Sequence, residues 1–228
     1  MRFYNIVINP LLEGLLYTGL IFLITLAASL PLGLLLSFGS KSKFKPISVL
    51  TRGLVWIVRG TPLMLQILFL DIAPGILSRE LGFGLEFALR EPWQHFMMVC
   101  VAFTINYSCY FSEIYRGGIQ SVPAGQYEAA QVLGLNQSQT FSKIIFLQVI
   151  KRIIAPMSNE IITLVKDTAL ASVVIHVDLF TVAKGIVNTN PQYFLWPLII
   201  SAVFYLIING LLTILLGKLE KKLDYFKV

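Results

Sequence analysis

Charged residues are scarce in this sequence. Asp, Glu, Lys and Arg make up 13% of its 228 residues, and 56% of the residues are hydrophobic. A soluble domain carries about 25% charged residues, so the composition excludes an ordinary soluble domain of this length. A membrane-spanning helix needs roughly 20 apolar residues, and four or five such helices use up nearly the whole chain. The composition therefore predicts an all-α, multi-pass membrane protein.

Cysteine and histidine are also rare, which argues against two kinds of site. Cys100 and Cys109 fall in one apolar segment, where helical geometry points them to opposite sides. A disulfide between them is not expected. His95 and His176 are isolated in the sequence, without the close spacing of metal ligands. We therefore expect no metal site and no cofactor bound by this chain.

Five apolar segments are predicted to cross the membrane. They cover about residues 14–38, 60–77, 93–112, 159–177 and 195–217. Charged residues interrupt the second segment, at Asp71, and the fourth, at Lys166 and Asp167. Lys and Arg are concentrated after the first, third and fifth segments. Because cytoplasmic loops carry an excess of Lys and Arg, the N-terminus is predicted outside and the C-terminus inside.

The long cytoplasmic loop, about residues 113–157, is predicted to form a helix–turn–helix. Gly134 suits the end of the first helix, with a left-handed backbone. Asn136 or Ser138 can cap the second helix, and Pro156 is predicted to end it.

The helical periodicity of this loop is compatible with two interpretations. An amphipathic surface helix can simply pack on lipid. However, Lys143 is the one basic residue between Glu128 and Ile150, so attraction to anionic lipid is weak. The small residues Ala129, Ala130 and Gly134 allow another backbone to approach closely. These two details favour docking into a groove on another protein.

The segment EAAQVLG, residues 128–134, resembles the cytoplasmic EAA loop of permeases of ATP-binding-cassette (ABC) importers. The motifs RGTPLMLQ (59–66), EIYRGGIQSVPAGQY (113–127) and NEIITLVKDTALASV (159–173) are similar to those in permeases of bacterial importers of polar amino acids. The resemblance covers about residues 14–217. Leu147 and Ala169 depart from the family pattern, and the outer stretch 78–92 is expected to be specific to this protein.

The resemblance implies a type I ABC importer permease fold, with residues 1–228 forming one transmembrane domain in the bacterial cell membrane. It also implies that the EAA loop docks on a separate ATPase, which holds ATP and Mg. The chain itself is not expected to be an enzyme, and it lacks the phosphate-binding pattern G-x-x-x-x-G-K-[ST]. The coupling residues implied are Glu128, Ala129, Ala130, Gly134 and Leu135.

The resemblance implies several partners that act together in transport. They are the ATPase, a second permease copy or a homologous permease, an extracellular amino-acid-binding protein, the amino-acid substrate and membrane lipid. The net charge is +6, and the basic residues that produce it lie at the ends of the apolar segments. Membrane topology therefore explains the charge, and no nucleic-acid partner is expected.

Charged residues inside the spans are candidates for substrate binding, because they are costly in lipid. The polar candidates within the spans are Asp71, Glu160, Asp167, Lys166, Gln66 and Asn106. Structural pairing between helices is the alternative for each. The carboxylates outnumber Lys166, which favours a basic amino acid, with glutamine left open. Asp71 has no basic residue within one helical turn, and we expect it to contact the cationic end of the substrate.

Two other classes of function are alternatives to an ABC importer permease. A self-sufficient secondary transporter or ion channel also uses buried charges, but it has no use for an EAA loop. Such transporters usually show repeat symmetry, and five spans cannot form two equal halves. A structural scaffold leaves the buried charges unexplained.

Overall fold

The computed structural model describes residues 2–80, 91–175 and 177–223, and all regular elements in these ranges are helical. This confirms the all-α prediction. The α-helices are α1 (Asn9–Ser40), α2 (Lys45–Gly60), α3 (Leu63–Glu80), α4 (Pro92–Gln120), α5 (Ala124–Val132), α6 (Gln137–Thr140), α7 (Phe146–Asp167), α8 (Leu179–Thr189) and α9 (Trp196–Leu223). Shorter π or 3-10 segments adjoin α1, α7 and α9 (Tyr4–Ile8, Phe141–Ile145, Thr168–Val173 and Pro191–Tyr193).

Three helical segments in the described ranges are long and apolar enough to cross a membrane: Tyr4–Ser40, Pro92–Gln120 and Trp196–Leu223. Helices α2 and α3 add a fourth if their bent pair is counted as one span. The predicted fourth span, 159–177, is not among them, since α7 is rich in charged residues and ends at Asp167. The number of five spans and their orientation therefore stay predictions.

Small residues allow α1 to pack closely on its neighbours. The buried side of α1 includes seven small residues, three or four positions apart in most cases: Gly14, Thr18, Thr25, Ser29, Gly33, Ser37 and Ser40. A β-carbon on Gly33 would lie 2.9 Å from both the Phe111 Cβ and the Ser108 carbonyl oxygen of α4. Close helix contact in membranes depends on such small residues, so α1 and α4 form the centre of the bundle.

The main hydrophobic core lies between α1, α3, α4 and the C-terminal part of α7. Its largest buried side chains are Ile21, Ile67, Phe103, Tyr107, Phe111 and Leu164. A separate cluster packs the beginning of α1 against α8. There the Leu179 amide donates a hydrogen bond of 3.1 Å to the Thr18 hydroxyl. The core thus fixes α4 and α7 side by side, and these two helices carry most of the polar candidates.

The loop between α4 and α7 confirms one part of the predicted helix–turn–helix and corrects another. Gly134 has a φ of 72°, and Asn136, rather than Ser138, caps α6 by accepting a hydrogen bond of 2.9 Å from the Gln139 amide. Pro156 does not end the second helix, because it lies inside the continuous α7. Proline removes one backbone donor, and membrane helices tolerate that loss where neighbouring groups re-satisfy the freed carbonyl.

Two predicted features fall outside the described residues. Most of the outer stretch 78–92 does so, because residues 81–90 are not described, and His176 is not described either.

Candidate functional site

A sharp break between α2 and α3 creates the space for a cavity. The axes of the two helices differ by 108°. Thr61 lies between them in an extended conformation, with a φ of -118° and a ψ of 146°, and it immediately precedes Pro62. A residue before proline is pushed out of the helical region by contact with the proline ring. The Thr-Pro pair therefore ends α2 and restarts the helix in a new direction.

The Gln66 side chain holds this break in place. Its Nε2 donates to the Val58 carbonyl at 2.7 Å, the Thr61 carbonyl at 3.1 Å and the Thr61 hydroxyl at 2.8 Å. Its Oε1 accepts a hydrogen bond of 3.0 Å from Asn106 Nδ2 on α4. One amide thus satisfies carbonyls that the break leaves free and links the bend to α4.

The cavity beside the break has a volume of about 450 Å³. Three structural elements line it: the break itself, one face of α4 and one face of α7. The lining residues are Arg59, Gly60, Thr61, Pro62, Leu63, Asn106, Tyr107, Tyr110, Glu160, Thr163 and Asp167.

Two carboxylates from α7 enter the cavity. Glu160, Thr163 and Asp167 are spaced three and four residues apart, so they share one helical face. Tyr107 donates a hydrogen bond of 2.7 Å to Asp167 Oδ2. Glu160 forms no hydrogen bond or ion pair with any residue in the described ranges.

Among the described residues, Arg59 is the one cation that lines this cavity, and it contacts Glu113 and Tyr110. Its Nη1 lies 3.5 Å from Glu113 Oε2, and its guanidinium lies 5.1 Å from the centre of the Tyr110 ring. Two carboxylates, Glu160 and Asp167, therefore face one cation in the lining, which gives this cavity a formal excess of negative charge.

The segment after α4 presents a compact apolar tip. Helix α5 ends in two hydrogen bonds, from the Leu135 amide to the Ala130 carbonyl at 3.0 Å and from the Gly134 amide to the Gln131 carbonyl at 2.9 Å. This is the Schellman arrangement, which requires a left-handed residue at the position of Gly134. The turn exposes Val132 and Leu133, whose relative exposures are 89% and 72%.

Contacts with the adjoining helices fix this tip to the bundle. The side chains of Val122, Ile145 and Val149 form a buried cluster under α5. Gln148 Nε2 of α7 donates a hydrogen bond of 3.2 Å to Gln126 Oε1 of α5. Helix α7, which carries the cavity carboxylates, is therefore in direct contact with α5.

Comparison with known proteins identifies the family. Residues 29–225 match the family described as binding-protein-dependent transport system inner membrane component. The chain belongs to this family. It is 32% identical to the L-cystine transport system permease protein TcyB of Bacillus subtilis over 95% of this chain and 88% of that protein. It is 30% identical to the arginine ABC transporter permease protein ArtM of Haemophilus influenzae, over 96% and 95% of the two chains.

Solved structures support the same fold. A crystal structure of an amino acid ABC transporter with histidines matches with a TM-score of 0.79 and 30% identity, over 93% of this chain and 94% of that chain. An inward-facing MetNI methionine ABC transporter matches with a TM-score of 0.64 at 15% identity, which shows the fold alone. The resemblance to ABC importer permeases and the type I permease fold are confirmed, and the protein is a multi-pass membrane component of a transport system.

The structure of this permease brings together four of the six predicted substrate residues. Glu160, Asp167 and Asn106 line the cavity, and Gln66 supports it through Asn106. Lys166 is exposed and is not a lining residue.

Asp71 is placed differently from the prediction. Its Oδ1 lies 2.6 Å from Nδ1 of His95, and it does not line the cavity. No basic residue lies within one helical turn of Asp71, but His95 contacts it from another helix, so its expected contact with the substrate stays a prediction. The partner comes from α4, 24 positions away, so inspection of one helical turn could not find it.

The structure exposes some of the predicted coupling residues and buries another. Glu128 and Ala129 are exposed, whereas Ala130 is fully buried against the permease itself. Glu128 lies in the middle of α5 and forms no ion pair within the described ranges.

Sequence reasoning missed several residues of both sites. Tyr107 and Tyr110 flank the cavity from α4, and their position next to Asn106 in a polar stretch of an apolar helix was the available signal. Val132 and Leu133 form the exposed apolar tip, although they lie within the EAA segment itself.

Proposed function

We propose that this permease carries a polar amino acid with a cationic side chain, and that the cavity beside the α2–α3 break is its binding site. The observation that supports this most is the joint presence of two carboxylates, Glu160 and Asp167, in a cavity whose described lining contains one cation, Arg59. Buried carboxylates without a full counter-charge favour a cationic ligand.

The proposed orientation of the substrate follows from the charges at the two sides of the cavity. The N-terminus of α3 begins at Leu63, which lines the cavity. Helix N-termini at broken membrane helices carry partial positive charge and bind carboxylates. The substrate α-carboxylate is therefore placed at Leu63 and Arg59, with its amino and side-chain cations directed at α7.

Tyr107 holds one oxygen of Asp167, so the carboxylate is oriented before the substrate arrives. A fixed acceptor loses less conformational entropy on binding than a free one. The other oxygen of Asp167 and the carboxylate of Glu160 are available to accept hydrogen bonds from the ammonium or guanidinium groups of the substrate.

The relatives are consistent with a polar amino acid but differ in substrate. ArtM is named for arginine, and TcyB for L-cystine. The charge of the cavity supports the arginine-like choice.

Coupling to ATP hydrolysis is proposed to occur at the α5 tip. Val132 and Leu133 would insert into a groove on a separate ATPase, and residues 128–135 would form the contact. The expected assembly contains two permeases, two ATPases carrying ATP and Mg, and an extracellular binding protein that delivers the substrate. The family name supports dependence on a binding protein.

A binding measurement tests the substrate site directly. Labelled arginine and labelled glutamine are titrated into the purified permease–ATPase complex without binding protein, so that the permease alone determines affinity. Glu160→Gln and Asp167→Asn should each weaken arginine binding about ten- to a hundredfold, as expected for a lost charge-assisted contact. Glutamine binding should change much less.

The matched control is Glu13→Gln, which removes an exposed carboxylate on α1. Unchanged arginine affinity in both cavity variants, with folding confirmed, would exclude this cavity as the site for the cationic group.

A further inference from the structure

A second cavity of about 450 Å³ lies between the end of α1, α2 and α4. Its polar lining differs from that of the cavity beside the α2–α3 break, which we call the acidic cavity. The second cavity is lined by four cations and one carboxylate: Lys41, Arg52, Arg59, Arg116 and Glu113. We call it the basic cleft. Arg59 lines both cavities.

The carboxylate of Glu113 is fully used by two arginines. Arg116 donates to it twice, from Nε at 2.9 Å and from Nη2 at 2.5 Å, and Arg59 lies 3.5 Å away. Arg116 Nη1 donates to the Gln120 side chain at 2.8 Å. Glu113 therefore has little capacity to neutralise the other two cations.

Lys41 and Arg52 form no salt bridge with a carboxylate among the described residues. Arg52 donates through Nε to the Ser40 carbonyl at 3.0 Å, so its two terminal nitrogens are free to bind a ligand. Lys41 follows the last residue of α1, and burial together with the charge of Arg116 lowers its pKa. Cations held together in this way are stabilised by a bound anion.

The membrane-topology rule alone does not explain this arrangement. Lys43 and Lys45 belong to the same basic stretch and are exposed, which is enough to mark a cytoplasmic loop. Lys41, by contrast, is half-buried and faces a cavity. An arginine fork beside a lysine is a typical arrangement for recognising phosphate.

We propose that the basic cleft binds a phosphate-class anion, held by Lys41 and the free nitrogens of Arg52. Two sources supply this chemistry: the headgroup of an anionic phospholipid and free phosphate. Trp56 lines the cleft and is 78% exposed, so an apolar surface is available at the cleft for acyl chains. The proposed ligands of the anion, Lys41 and Arg52, do not line the amino-acid cavity, although Arg59 lines both cavities.

Thermal unfolding of the full-length chain tests the proposal. A ligand that binds only the folded state raises the unfolding temperature, by an amount that grows with the logarithm of its concentration relative to Kd. In one arm, inorganic phosphate is titrated into detergent-purified protein at constant ionic strength with chloride as the balance. In the other, protein in phosphatidylcholine vesicles is compared with protein in vesicles that contain phosphatidylglycerol.

Lys41→Gln should weaken the apparent affinity about tenfold or more. Lys43→Gln, which removes the same charge from the same stretch outside the cleft, should change it less than about twofold. Arg52→Lys keeps the charge but loses the planar fork, so its affinity should fall between those of the parent and Lys41→Gln. It also provides a second test if Lys41→Gln alters folding.

Both arms give decisive outcomes. Stabilisation by inorganic phosphate with this variant pattern supports a free-phosphate site, and stabilisation by phosphatidylglycerol alone supports a lipid headgroup. Absence of stabilisation in both arms overturns the proposal. Equal weakening in Lys41→Gln and Lys43→Gln also overturns it, because the effect is then general electrostatic attraction.

Discussion

Replacement of Gly134 should disturb ATPase coupling while the helical bundle stays folded. Gly134 has a φ of 72°, and a β-carbon built on it meets no atom within 4 Å. The expected damage is therefore backbone strain without a steric clash. Alanine tests the strain alone, and valine increases it because a β-branched residue at positive φ is a genuine outlier.

The size of the effect follows from the left-handed conformation. A residue with a β-carbon costs roughly 1–2 kcal/mol there, which corresponds to a factor of about 5–30 in an equilibrium population. A conformer that avoids this strain loses the hydrogen bonds from Gly134 to Gln131 and from Leu135 to Ala130. It also redirects the exposed tip. Apparent affinity for the ATPase should fall by up to this factor, since it scales with the fraction of the protein in the competent conformer.

The assay is copurification of the ATPase and its substrate-stimulated hydrolysis. Gly134→Asn should stay close to the parent, because asparagine adopts the left-handed conformation more readily. Gly134→Ala should be impaired, and Gly134→Val more so. Gly125→Ala is the matched control in the same helix, since Gly125 has neither a positive φ nor a close neighbour. Full coupling in Gly134→Val, with ATPase bound at the parental level, would refute the proposed role of the turn.

Three further predictions concern stability. Gly118→Val should destabilise the permease by about 1–3 kcal/mol and lower its unfolding temperature, because even a β-carbon on Gly118 overlaps a side chain of α7. The control is Gly117→Val, which should cost much less because a β-carbon on Gly117 has no neighbour within 4 Å. A double-mutant cycle with Asp71→Asn and His95→Gln should give a coupling energy of about 0.5–3 kcal/mol if their 2.6 Å contact joins α3 to α4; additive effects would dismiss that link. Lys41→Gln should raise the unfolding temperature at neutral pH without added anions, and this gain should shrink towards about pH 10.4. The lowered pKa of Lys41 means that the unfolded state binds more protons in that range, so the parent gains stability as pH rises.

Local rules predicted the features that depend on a few neighbouring residues. The left-handed Gly134 and the Asn136 cap follow from turn and capping chemistry within four residues, and both are confirmed. The apolar runs likewise located the central parts of α1, α4 and α9. The ends of these helices extend beyond the apolar runs because backbone hydrogen bonding continues past the lipid-facing residues.

Features that depend on contacts between helices could not be predicted in the same way. Glu160 and Asp167 were candidates because burying charge is costly. Their position beside Tyr107, which donates a hydrogen bond to Asp167, depends on the packing of α4 on α7. The same limit explains Asp71, whose partner is supplied by another helix. Pro156 was misjudged because its local preference competes with a helix whose packing spans residues on both sides of it.

The motif RGTPLMLQ gains a physical explanation from the break that it forms. Thr61 and Pro62 end one helix, and Gln66, one turn into the next, returns to bond the carbonyls released by that ending. Without Gln66 the free carbonyls would need water or another donor inside the membrane, and without the break Leu63 would not present a helix N-terminus to the acidic cavity. Since Asn106 bonds the same glutamine, the position of α4 and the angle of the break are set together. The motif therefore specifies the shape of the cavity, whereas its charge comes from α7.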